Sequence, residues 1–102
     1  MKSQAVIVEI IGTFFFLSII LSVVADGATN PFSAALAPIA IAVGLLAAIY
    51  FGGKISGGHF NPAVSIMMLA KGNIDSITAF AYIVAQIIGG LTALLVNSYL
   101  MV

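Results

Sequence analysis

The sequence predicts an all-α membrane protein with three transmembrane helices and one re-entrant half-helix, and three observations carry that reading. Of its 102 residues, 63% are hydrophobic and 6% charged, with a mean hydropathy of +1.28. Three apolar runs are long enough to cross a ~30 Å hydrocarbon layer. Between the second and third lies a shorter run that is not, opened by SGGHFNPAVS at residues 56–65. A water-soluble chain of this length could not cover its surface with three Lys and three acidic residues.

The first span covers residues 4–25, QAVIVEIIGTFFFLSIILSVVA, about 33 Å of helix at 1.5 Å per residue. Lys2 and the small residues near Ala25 faintly suggest a cleaved leader. The run is longer than a leader's apolar core, however, and it contains Glu9. Residues 26–31, DGATNP, form a turn, with Pro31 closing the loop. The second span covers residues 34–52, with Pro38 in its first turn or so, where a missing N–H does least harm. Residues 53–60 are expected to leave the helix. The third span covers 77–100, started by Asp75-Ser76. One membrane domain, 1–102, accounts for the whole chain, and no internal repeat is visible.

The short element, residues 62–70, is capped by Asn61, has Pro62 at its first position and stops at Lys71-Gly72. Nine residues rise about 14 Å, half of a bilayer core. PAVSIMMLA is apolar nearly all round, which argues against a connector lying on the membrane surface. Residues 53–70 are therefore expected to re-enter: the Gly-rich segment descends and the half-helix climbs back to the same face. Irregular backbone at that depth requires a water-filled cavity. Carbonyls of Gly57, Gly58, His59 and Phe60 would line it, and the positive end of the half-helix would sit near mid-membrane with the Asn61 amide. That combination donates hydrogen bonds to a neutral solute and repels cations, as a channel requires. Re-entry also places Lys2, Lys54 and Lys71 on one face, opposite Asp26, and the Lys excess favours a cytoplasmic N-terminus.

Other function classes fit poorly. Net charge is zero and Arg is absent, so nucleic acid is not an expected partner. There is no Cys and one His, so no metal site, cofactor or enzymatic activity is expected.

SGGHFNPAV resembles the Asn-Pro-Ala loop of the aquaporin, or major intrinsic protein, family. Glu9-x-x-Gly12-Thr13-Phe14 resembles that family's first helix, and Tyr82-x-x-x-Gln86-x-x-Gly89 its third. The resemblance covers nearly the whole chain in order and spacing. The family pattern has six spans and two such loops, whereas this chain holds one half. In the second span, Ala37-Pro38-Ile39-Ala40-Ile41 looks more like the family's other half. The resemblance implies a passive pore for water or small neutral solutes such as glycerol, with Asn61, Pro62 and Ala63 at its centre. It implies that Glu9 braces the loop, with Gln86 as its counterpart, and that Ile41, Ile49, Gly58 and Val64 occupy the filter positions. His59 reads as a hydrogen-bonded loop residue facing the vestibule, with a pH sensor as the alternative. Gly12, Gly44, Gly89 and Gly90 read as close helix contacts.

A half-helix that stops at mid-membrane needs a complement. An antiparallel homodimer within the bilayer, clustered as four pairs in family fashion, supplies it; a heterodimer or a fragment of a longer chain are the alternatives. The Lys distribution works against free insertion in both orientations. The alternative function is a small proton-coupled multidrug-type transporter using Glu9, since an intramembrane carboxylate is a functional-site hypothesis in itself.

Overall fold

The computed structural model describes residues 3–100, which form four helices: α1 (Ser3–Gly27), α2 (Pro31–Ser56), α3 (Pro62–Lys71) and α4 (Ser76–Leu100). Met1, Lys2, Met101 and Val102 lie outside the described residues, so the placement of Lys2 is not described. Among the described residues there is no strand. Three helices are long and apolar enough to cross a membrane, and α3 is not. The long dimension of the molecule, 44 Å, matches a bilayer with its headgroups.

α1 is the central helix, with α2 packed on one side and α4 on the other; α3 packs on α4. Lipid tails give helices no hydrophobic reason to associate, so close backbone approach has to do it. The buried positions are spaced by four: the small Gly44, Ala48, Gly52 and Ser56 on α2, and Ala5, Glu9 and Thr13 on α1, where Glu9 alone is large. At Gly89 of α4 the helix meets the backbone of α1, since a Cβ there would stand 2.6 Å from the Ile10 carbonyl oxygen. Gly44 admits Ile19, and Gly90 admits Leu17. Gly12 differs from the sequence expectation, because its neighbour is the Phe60 ring of the loop and not another long helix.

The second span is longer at both ends than the sequence suggests. Pro31 is the first helical residue and not the end of a loop. Asn30 caps it, accepting from the N–H groups of Phe32 at 3.0 Å and Ser33 at 3.3 Å. This start places Pro38 inside the helix, beyond its first turn. At the other end the helix runs through Gly52-Gly53-Lys54-Ile55 to Ser56, where the sequence suggests a break. In lipid an unwound backbone has no water to bond, so glycines cost a membrane helix little and open room for packing. The break comes at Gly57, with φ 93° and its N–H on the Gly53 carbonyl at 2.8 Å. Within 53–60, only residues 57–60 are non-helical.

The chain then doubles back. Phe60 comes level with Gly52 and Gly12, the latter about 14 Å along the ~37 Å of α1. α3 returns to the end where α2 finished, and Gly72, at φ 89°, closes it with its N–H on the Leu69 carbonyl. α4 starts from there, its Thr78 N–H capped by Asp75 at 2.8 Å. The segment is re-entrant with respect to the three long helices, and Asn61 lies alongside them and not beyond their ends.

Candidate functional site

Residues 57–61 are held by a polar network at the junction of all four helices. Glu9 is fully buried, and four donors reach its carboxylate. Oε2 accepts from the Ser56 hydroxyl at 2.7 Å and the His59 N–H at 3.1 Å. Oε1 accepts from the Phe60 N–H at 2.8 Å and Gln86 Nε2 at 2.9 Å. Each neighbour donates and none needs to accept, so the nest suits a carboxylate. Two consecutive backbone N–H groups of the loop are satisfied by one side chain, which replaces the water that the bilayer withholds.

The second Gln86 donor goes to Ser65 Oγ at 2.9 Å, and that hydroxyl meets His59 Nδ1 at 2.8 Å. The Ser65 hydroxyl is thus shared by Gln86 and His59, and ties the loop to α3 and α4. The His59 ring is buried, edge-on to Tyr82 with centroids 5.0 Å apart. It therefore faces α3 and α4 and not an open vestibule, because Ser65 and Tyr82 give it polar and aromatic company there. Tyr82 donates from its hydroxyl to the Ser56 carbonyl at 2.5 Å, fixing the end of α2. The Ser56 hydroxyl also receives the Gly58 N–H at 3.1 Å. Sequence reasoning missed the roles of Ser56 and Ser65, and it met Tyr82 only as part of a helix motif. Tyr82 stands one turn before Gln86 on the same helix face, which is the signal that could have given it a role.

Phe60 takes φ 51°, an uncommon conformation for a side chain of that size. Its ring is buried in a notch left by two glycines. A Cβ on Gly12 would stand 2.1 Å from its Cε1, and one on Gly52 would stand 3.2 Å from its Cζ. Turned over in this way, the loop leaves the carbonyls of Gly57, Gly58, His59 and Phe60 without a hydrogen bond among the described residues. Asn61 is exposed. Its Oδ1 accepts from Ala63 N–H at 2.8 Å, capping α3, so its NH2 group points elsewhere. Pro62 and Ala63 are exposed beside it.

The four filter positions are not all together within one chain. Gly58 lies against Ile49, its Cβ direction 3.4 Å from Ile49 Cγ1. Ile41 is two turns away, about 12 Å along α2. Val64 is half-buried on the first turn of α3.

With this geometry in place, comparison with known proteins decides the family. The family model for the major intrinsic protein matches residues 1–102. This chain belongs to the major intrinsic protein family. Members are integral, multi-pass membrane proteins, which agrees with its three spanning-length helices. It is 39% identical over 74 residues to aquaporin TIP1-1 of Arabidopsis thaliana, covering 72% of this chain and 30% of that protein. It is 45% identical over 87 residues to glycerol uptake facilitator protein-like 6 of Lactiplantibacillus plantarum, covering 83% of this chain and 38% of the relative. Aquaporin Z of Photorhabdus laumondii is 47% identical over 57 residues, 54% of this chain and 25% of that protein. The matches thus span about a third of these relatives. No solved structure gives a significant match.

Proposed function

We propose that this major intrinsic protein chain forms a passive pore for water and small neutral solutes such as glycerol, completed by a second copy in antiparallel orientation. One observation carries the reading: Asn61 caps α3 with its Oδ1, leaving a free NH2 at the positive end of a half-helix beside three spanning helices. Donors at mid-depth can receive a solute oxygen, and the helix dipole opposes cations. The unpaired loop carbonyls supply the acceptors. The relatives' names, aquaporin and glycerol uptake facilitator, support this class of solute.

α3 has ten residues, about 15 Å, and so fills half of a ~30 Å column. Inverted repeats are a general way to fill the rest. A two-fold axis in the membrane plane, passing between Ile41 and Ile49, would bring Ile41 of one copy level with Ile49, Gly58 and Val64 of the other. Each mouth would then be apolar and uncharged, a wall that suits the carbon side of glycerol. The proton-coupled reading gains nothing from Glu9, which is buried with both oxygens occupied by the loop and Gln86.

Stopped-flow light scattering on reconstituted protein tests this. Both water and glycerol permeability should rise above protein-free vesicles. Val64→Arg should cut glycerol flux more than water flux, because a guanidinium at each mouth narrows it and adds fixed charge. Folded protein with no added permeability to either solute would overturn the channel; equal losses in the variant would remove Val64 from the filter.

A further inference from the structure

Asp26 stands in the last turn of α1, where the negative end of the helix dipole disfavours an acid. No basic residue shares that turn, and no other described residue at this end of the molecule is charged. Its Oδ2 accepts from the Ser33 hydroxyl, and its Oδ1 takes no hydrogen bond from the described residues. Beside it a cleft of about 220 Å³ opens between α1 and α2, with Ser22, Asp26, Ser33, Leu36 and Ala37 in its lining. That is the volume of about seven groups of ~30 Å³, enough for the four-carbon stem and ammonium of a Lys. The described cations, Lys54 and Lys71, lie at the other end, and Lys54 is exposed in the last turn of α2. The acid at that end, Asp75, is occupied in capping α4. Within one chain, Lys54 is about 32 Å along α2 from Ser33.

Inversion removes that distance. In the antiparallel pair proposed above, on which this inference rests, the axis midway between Ile41 and Ile49 sets Lys54 of one copy level with Leu36 of the other. Leu36 lines the Asp26 cleft, one turn or about 4.5 Å from Ser33. The same axis makes α2 complementary to itself. Ile39, Val43, Leu46 and Tyr50 are exposed and recur every three or four residues, along one face of the helix. They exchange across the axis to within one residue, Ile39 with Tyr50 and Val43 with Leu46. We propose that Asp26 of one copy forms an ion pair with Lys54 of the other, once at each membrane face, and that the two pairs fix the register of α2 against α2. Each copy supplies one acid and one base, so the two-fold axis satisfies both faces at once. A parallel pair would leave every Lys54 and every Asp26 on faces of like charge. The pairing also offsets the Lys distribution that works against inverting one copy, because the Lys54 carried to the opposite face meets an acid there.

The chain has no Cys, so Asp26→Cys and Lys54→Cys versions carrying different tags can be co-expressed and oxidised in membranes. A disulfide joining the two tags should form, with the second Asp26–Lys54 pair of that dimer still intact. Either version alone should stay monomeric, because inversion carries its two cysteines to opposite faces. Cross-linking of Asp26→Cys to itself would overturn the proposal. Energy transfer between labelled copies diluted in lipid vesicles then tests the charge. Asp26→Asn and Lys54→Gln should each weaken dimerisation by about threefold or more, and Lys54→Arg should keep it. The double change should cost no more than the worse single one, and additive losses would remove the ion pair. Ala63→Cys reports the contact between α3 helices and so separates this pairing from the dimer itself. Cross-linking through Ala63→Cys with no disulfide between positions 26 and 54 would overturn the pairing alone; loss of both would overturn the antiparallel dimer with it.

Discussion

A carboxylate six residues into an apolar helix demands donors, and Glu9 finds four of them, from the loop, α2 and α4. That Glu9 would face the loop and Gln86 came from the family resemblance and not from the residues themselves. Ser56 and Ser65 were not legible, since a Ser in a membrane helix ordinarily bonds its own backbone. The inward turn of His59 was hidden for the same reason, because it depends on Ser65 being aimed by Gln86. Glu9→Ala leaves the N–H groups of His59 and Phe60 buried without acceptors, at about 1–3 kcal/mol each. The folded fraction recovered in detergent should fall sharply, read by size exclusion of the purified variant. Recovery equal to the parent protein would remove Glu9 as the brace.

At the scale of elements, α3 was legible almost to the residue, because Asn-Pro starts it and Lys-Gly stops it. The end of α2 was not. Two glycines followed by a Lys look like a break, yet they continue the helix because Gly52 is needed as a seat for Phe60 and Val8. Phe60 and Gly12 make that seat testable. Gly12→Ala sets a methyl carbon 2.1 Å from the Phe60 ring, so the ring must move. Overpacking of this kind costs about 1–3 kcal/mol. Phe60→Ala in the same background should cost less than the sum of the two single changes, as thermal midpoints in detergent can show. Strict additivity would mean that the two residues do not share the notch. The start of α4 carries a second test, in pH. Hydrogen bonds from the Thr78 hydroxyl and N–H hold the Asp75 carboxyl below its usual 3.8. A lowered folded value means the cap is complete above 3.8 and is lost as pH falls through that lower value. Exchange protection of the Thr78 amide should hold from neutral pH down to about pH 4 and drop below it; protection that is flat into stronger acid would contradict the cap.

Across the whole molecule, three helices in order and one half-length helix between them were readable from hydropathy alone. What hydropathy could not place was Gly58 against Ile49, with Ile41 two turns further along the same helix. That separation is informative only if a second copy is inverted against the first. The central claim is therefore that two α3 helices meet end to end at mid-depth. The chain has no Cys, so single cysteines report contacts between copies without background. In membranes treated with an oxidant, Ala63→Cys, at the Asn61 end of α3, should form disulfide-linked dimers. Lys71→Cys, at the far end of α3, should not, because the two copies carry it to opposite faces. Dimers through Lys71→Cys, with Ala63→Cys remaining monomeric, would contradict the account.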